Sequence, residues 1–431
     1  MSASPRTEPL RVVVVGGGIA ALETVLALHD LAEEQVRVTL IAPEPDFVLR
    51  PLAVAAPFSR GHVDRLALED VMAEHSGRFV RSAVARVDTG AHAVTLVTGV
   101  EVGYDVLVLA QGVSSIAAFE HALTFGAIPL GLNGILADLE QGASSSVAFV
   151  VPPECTWPLP LYELALMTAE EVWTMNMDRV MIHLVTPELE PLEIFGAEAS
   201  TAVAELLDAA RITVHPGAHA SVAANGRVET GCGPDVVVDR VVALPVLEGR
   251  RLDGIPANAD GFVAVDDAGL VGGLESVYAV GDVTDRPIKQ GGLACQQADV
   301  TAAHIAARAG AHVDVPPLEQ VLRGRLLTGA RDRFLRRGNA NAGATTSVEP
   351  LWWPPTKVSG KYLSPYLTEK DIVHLPPRGA PSGSGVDVRV PVGGQPRCVP
   401  GGTVELGSLR PVTARRTASL KTSSVEARPY A

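Results

Sequence analysis

Apolar residues in this chain fall into short runs set between polar and glycine-rich breaks. Val12–Val15 and Tyr104–Leu109 suit strands buried on both faces of a parallel sheet. Further strands are predicted at Val36–Ile41, 146–151 (SVAFVV), 180–185 (VMIHLV), 236–243, 262–265 and 276–280. Residues 19–32 and about 292–309 read as helices. Residues 79–99 predict antiparallel strands around a Thr-Gly turn, and LRGRLLTGARDRFLR at 322–336 alternates like the strands of a third domain.

This order predicts an α/β fold with two Rossmann-like three-layer dinucleotide-binding domains, one inserted in the other, plus a small C-terminal domain. Residues 10–115 and 251–315 form the two parts of the first domain, 116–250 the insert, and 316–373 the C-terminal domain. From 374 to 431 Pro, Gly, Ser, Arg and Thr dominate without a sustained period, which predicts a disordered tail. The tail lacks the apolar stripe of a lipid-bound helix.

The strand Val12–Val15 runs directly into Gly16, Gly17 and Gly18, with Ala21 in the third small position of G-x-G-x-x-G/A. Gly16 permits the tight turn, and Gly18 lets backbone approach a pyrophosphate. Ala21 lets the helix pack closely on the strand, while the helix N-terminus offers amide donors and a favourable dipole. A tight turn in an unrelated α/β protein is the plainer alternative, but the strand–turn–helix–strand order is what the fingerprint requires. The acid expected for a ribose hydroxyl falls near Ala42, so Glu44 in the following loop is the nearest candidate. Far downstream, SVYAVGDV at 276–283 is a strand ending in Gly281–Asp282. One segment suits a pyrophosphate and the other offers a carboxylate to a sugar-alcohol chain. FAD carries both groups, so the pair points to a flavoprotein.

Composition narrows the class. The 431 residues allow two to three domains, and 47% are hydrophobic, enough for a large core. A formal charge of −14 argues against nucleic-acid partners. No signal-like or membrane-spanning run is present, so the expected location is cytoplasmic, with peripheral contact at the inner membrane face left open. The four cysteines make no disulfide framework, and with the histidines they show no metal-binding spacing.

Over about residues 10–370 the chain resembles the pyridine nucleotide-disulfide oxidoreductases, and within them the sulfide:quinone oxidoreductases and type II NADH dehydrogenases. The matching segments are VVVVGGGIAALE, YDVLVLAQG at 104–112, VYAVGD at 277–282 and WPPTKVSGKYLSPYL at 353–367. The resemblance implies that Gly16 and Gly18 bind the FAD pyrophosphate and that Gly281–Asp282 meets the ribityl chain. It also places Ala110 and Gly112 against the cofactor, with Gln111 where the family has threonine, and sets Arg50 and Pro51 beside the isoalloxazine. A surface charge paired locally is the alternative for Arg50. The helix at KQGGLACQQA would face the flavin pyrimidine, where the amides of Gly292 and Leu293 would stabilise negative charge.

The second dinucleotide-like block departs from a working NAD site. Where glycines should follow SVAFVV, the chain reads PPECTWPLPLYE, and prolines lack amide donors. Glu188 could still meet a ribose, although an ordinary loop acid is the plainer reading. The sulfide-oxidising relatives use two cysteines near the flavin, which the resemblance carries to Cys155, with Cys295 as the substitute for a missing partner. Each has a packing alternative. Cys232 and Cys398 look incidental. Trp352, Trp353, Tyr362 and Tyr366, with Lys357 and Lys361, could line a quinone site or fill a domain interface.

Three functions follow as expectations. The first is an FAD-dependent oxidoreductase passing electrons from a small donor, such as a sulfur species, to a quinone-like acceptor. The second is an NAD(P)H-dependent flavoprotein reductase with a non-standard nicotinamide site. The third is a flavin-binding interaction module without turnover. Homo-oligomerisation stays open in each.

Overall fold

The computed structural model describes residues 8–60, 65–126, 131–231, 233–338 and 343–372. Cys232, Cys398 and the predicted tail lie outside the described residues. Two parallel five-stranded sheets dominate. The first runs in the order Val277–Ala279, Val106–Leu109, Leu10–Val15, Val36–Ala42, Arg78–Arg81. The second runs Leu123–Thr124, Arg240–Ala243, Ser146–Val150, Met181–Val185, Thr213–His215.

The central strand of the first sheet shows why its sequence is apolar from Val12 to Val15. Val12 and Val14 face the helices Ile19–Ala32 and Gly291–Ala309, whereas Val13 and Val15 face a core that includes Val87, Val94, Leu96 and Tyr104. Both faces are covered there, so none of these four positions can be polar without cost, whereas the exposed Arg11 near the start of the strand pairs with Asp105. The two helices pack along alanine-rich faces, with Ala20, Ala21, Ala27, Ala294, Ala302 and Ala306 all buried.

The chain passes between the two parallel sheets twice. Those passages, Val113–Ile116 and Val246–Gly249, pair with each other as an antiparallel ribbon. The antiparallel strands expected in 79–99 appear as Val84–Asp88 and Ala93–Leu96, joined to Glu101–Gly103, with Asp88 capping the turn through the amides of Gly90 and Ala91. Arg78–Arg81 instead extends the first parallel sheet at its edge. The predicted strand 236–243 divides in two. Asp239 accepts the amides of Ser145 and Ser146, and the chain turns there from a small antiparallel sheet into the second parallel one. Residues 262–265 contribute only isolated bridges.

A third sheet, Leu322–Leu326, Arg333–Arg337 and Ala344–Ser347, is antiparallel. Its Leu322, Leu326 and Leu335 join the core of the second parallel sheet. The chain then closes with a short helix, Leu363–Glu369, whose Leu363 and Leu367 enter the core of the first. No helix among the described residues is long and apolar enough to cross a membrane.

Candidate functional site

The glycine loop is built as its composition requires. Gly16 has φ +125°, and a side chain there would overlap the carbonyl of Ala110 on the neighbouring strand end. Its amide is held by Ile41 O at 2.8 Å, and the Ala110 amide by Val15 O at 2.8 Å. These bonds fix the crossover where three strands end together. Gly18 differs, because a Cβ on it would meet nothing within 4 Å. It opens the helix Ile19–Ala32 with no side-chain cap, leaving that N-terminus available to an anion. Ala21 is fully buried against the strand, as its small size demands.

Gly281 (φ +77°) turns the last strand of the same sheet. A side chain there would press on the methyl groups of Ala20 at 2.9 Å and Ala294 at 3.3 Å. Its amide donates to Gln297 Oε1 at 2.9 Å, so the long helix holds the turn from below. Asp282 follows, partly buried, with no hydrogen-bond partner among the described residues. Burial raises its carboxyl pKa, and the nearby Lys289 ammonium opposes that rise. Lys289 is itself buried, donates to Thr284 O and lies over the Phe262 ring at 4.0 Å. Burial lowers its pKa to about 8.

The other expected cofactor contacts fall around the same sheet edge. Gln111, between Ala110 and Gly112, has a buried Oε1 without a hydrogen-bond partner among the described residues. Gly112 faces open space. Glu44 and Arg50 are exposed and unpaired among the described residues, and Arg50 begins a one-turn 3-10 helix.

The helix Gly291–Ala309 corrects one detail. Gln290 caps it by accepting the Leu293 amide on Oε1 at 2.8 Å, so that donor is already used within the protein. The amides of Gly291 and Gly292 have no acceptor among the described residues and are the donors left for a ligand. Gln290 and Gln297 were not singled out from sequence; glutamines at a helix start carry no pattern that marks them.

In the inserted domain the loop acid Glu188 is met by the chain itself. Tyr162, fully buried at the start of the helix Leu159–Thr174, donates to Glu188 Oε2 at 2.6 Å, and Thr186 Oγ1 donates to the same oxygen at 3.1 Å. The acid that could take a ribose is therefore engaged by the chain itself.

Burial opposes ionisation of both described cysteines. Burial pushes the Cys155 thiol up to about 12, the Trp157 amide partly opposes this, and Glu188 reinforces it. Cys295 is fully buried, and its pKa is raised well above the ordinary range by burial first and then by Glu23 and Asp299. The two thiols belong to different cores, Cys295 to the first and Cys155 at the edge of the second. Burial thus disfavours the thiolate form at both positions, and each cysteine packs into a core as its plainer alternative had it.

The closing segment is structural for most of its length. Lys357 is a buried ion pair with Glu163, and Glu23 accepts the amides of Tyr362 at 2.9 Å and Leu363 at 2.7 Å. The expected aromatic cluster is dispersed. Tyr366 reaches Glu74 at 2.7 Å, Trp352 packs on Phe334 with centroids 5.1 Å apart, and Lys361 covers the Tyr362 ring. Trp353 alone of the four is half exposed.

Comparison with known proteins agrees with this geometry. The family model for pyridine nucleotide-disulphide oxidoreductases matches residues 9–127 and 164–310. No curated protein sequence matches the chain. Among solved structures, the sulfide:quinone oxidoreductase of Aquifex aeolicus superposes with a TM-score of 0.70 at 21% identity, covering 78% of this chain and 86% of that one. A ferredoxin reductase of Rhodopseudomonas palustris superposes at 0.57 with 18% identity, over 76% of this chain and 81% of that one. The NAD-dependent persulfide reductase of A. fulgidus gives 0.57 at 16%, over 77% and 64%. At these identities the likeness speaks for the fold. With the family match and a glycine cradle that fits a dinucleotide, the chain belongs to the pyridine nucleotide-disulphide oxidoreductase family and is an FAD-dependent oxidoreductase.

Proposed function

We propose that this oxidoreductase takes electron pairs from a small donor other than NAD(P)H and passes them to a quinone-like acceptor. The observation that carries the reading is the Tyr162–Glu188 hydrogen bond beneath a proline-rich connection, in the crevice where a second dinucleotide would lie. A ribose at Glu188 would have to share the carboxylate with Tyr162 and Thr186, and a pyrophosphate would find no amide donors at Pro152, Pro153, Pro158 and Pro160. The likeness to a sulfide:quinone oxidoreductase supports a donor of this kind.

The bound FAD supplies a two-electron store. The chain's own groups bind and tune it. Gly18 and the N-terminus of helix Ile19–Ala32 take the pyrophosphate, and Asp282 accepts hydroxyl donors. The free Gly291 and Gly292 amides, at the positive end of a long helix, favour negative charge on the facing ring. The proposal invokes no thiol chemistry, because burial disfavours the thiolate at both described cysteines.

The test is anaerobic stopped-flow bleaching of flavin absorbance with NADH, NADPH and sulfide offered separately, followed by reoxidation with a short-chain ubiquinone. Bleaching by sulfide and not by the nicotinamides, then rapid return with quinone, is expected. Rapid bleaching by NADH overturns the reading.

A further inference from the structure

The hairpin of the third sheet pairs Arg323 directly with Arg336. Leu322, Gly324 and Leu326 turn to the core, where Gly324 lies against Phe195 and Leu159. Arg323 and Arg336 therefore share the opposite face with Arg325 and Phe334. Like charges directly across an antiparallel pair repel. Three neighbouring arginines are engaged, Arg325 by Asp332 at 2.8 Å, Arg331 by Glu349 at 2.7 Å and Arg337 by the carbonyl of Ile194 at 2.7 Å, while Arg333 sits opposite Leu326 and not across from another arginine. The side chains of Arg323 and Arg336 make no hydrogen bond or ion pair among the described residues, in a chain of net charge −14. Both are partly buried. Burial and the Arg336 charge lower the Arg323 pKa from its ordinary value.

The position of the pair makes this chemistry relevant. Gln290, the cap of the helix Gly291–Ala309, donates to Arg323 O at 3.1 Å. Gln296 on the same helix exchanges two hydrogen bonds with Val321, at 3.0 and 2.8 Å. The arginine strand is thus fastened to the helix N-terminus whose free amides serve the flavin. Two unneutralised guanidinium groups, partly withdrawn from water on a strand tied to that helix start, are a local conflict of the kind that a bound anion resolves.

We propose that Arg323 and Arg336 bind an oxyanionic group (carboxylate, sulfonate or phosphate) of a small molecule that reaches the flavin. The proposal rests on the flavoprotein reading and adds a substrate class to it. Two guanidinium forks match the geometry of such groups better than a lysine ammonium would.

Two measurements on the holoenzyme test it. In the first, thermal melting is followed in sodium sulfate and in sodium chloride at equal ionic strength. Sulfate should raise the wild-type midpoint saturably above the chloride value. The R323Q/R336Q variant should melt higher than wild type without sulfate, because the repulsion is gone, and show no sulfate-specific rise. In the second, dithionite-reduced enzyme is reoxidised by 1,4-naphthoquinone-2-sulfonate or by neutral 2-methyl-1,4-naphthoquinone, each quinone taking two electrons and two protons. Loss of the charge-assisted bonds should raise the half-saturating concentration of the sulfonate about tenfold or more in the variant and leave the neutral quinone unchanged. Equal sulfate responses in the two proteins, or equal changes for both quinones, overturn the proposal. If neither quinone reoxidises the flavin, the quinone-acceptor reading fails, and the melting comparison still decides the anion site.

Discussion

Lys357→Met should destabilise the protein in a way that depends steeply on pH. The Lys357 side chain is 6% exposed and that of Glu163 is 0% exposed. Without the ammonium, Glu163 Oε1 keeps only the Leu327 amide at 2.9 Å, and Oε2 has no partner even in the wild type. Removing one member of such a pair costs about 3–5 kcal/mol. Protonation of the stranded acid sets a ceiling. Starting from a carboxylate of ordinary pKa near 4.3, it costs about 4 kcal/mol at pH 7 and about 1 kcal/mol at pH 5. Losing the donor to Arg325 O, at 3.1 Å in the wild type, adds about 1 kcal/mol at either pH. The variant's deficit should therefore shrink by about 3 kcal/mol between pH 7 and pH 5. Urea unfolding of holoenzyme, read by tryptophan fluorescence, measures this at both values. The Glu163→Met/Lys357→Met double variant should recover most of the loss at pH 7, because no buried charge is left alone. A deficit equal at the two pH values, or a double variant as unstable as the sum of the singles, would refute the argument.

The remaining predictions concern the cradle and the other buried acids. Gly18→Ala should fold with an unchanged apoprotein melting point yet bind FAD at least about tenfold more weakly, because the space its methyl enters belongs to the ligand. Gly16→Ala should lower both melting point and FAD content, since its methyl meets Ala110; equal behaviour of the two variants would contradict the geometry. Asp299 is raised to about 8 by burial and then by Glu23, so the folded state holds a proton that the unfolded chain releases above the ordinary Asp range. Stability contributed by that proton is full at low pH and is lost as pH rises toward and through about 8, whereas Asp299→Asn should flatten this part of the melting profile. Cys155→Ser should leave donor-driven flavin bleaching at its wild-type rate; a large loss would restore the thiol to the mechanism.

Much of the cofactor domain was legible in sequence because local rules dictate it. A strand buried on both faces must be apolar, a turn at φ +125° with no room for a side chain must be glycine, as at Gly16, and the helix predicted at about 292–309 runs Gly291–Ala309. What stayed hidden depends on partners distant in the chain. Glu163 reads as one more polar residue of an apolar helix until Lys357, 194 positions later, is brought to it. Glu188 stands out in the sequence as a loop acid, but its contact with Tyr162 depends on how a helix start meets a strand end. Asp239 divides a run that looked like a single strand, because serines on another strand hold its carboxylate. The arginine pair becomes visible only when the hairpin register is known, since a shift of one residue would send the two side chains to opposite faces.

The order in which these parts occur along the chain has a consequence for assembly. The glycine loop, the Ala110–Gly112 crossover, Asp282 and the Gly291–Gly292 amides all precede residue 300. The groups that lock the molecule shut, Lys357 against Glu163 and the Tyr362–Leu363 amides against Glu23, come last. A chain leaving the ribosome N-terminus first presents a complete cofactor cradle while both latches are still unmade. FAD can then enter an open mould, and the final segment clamps over two domains already formed around it.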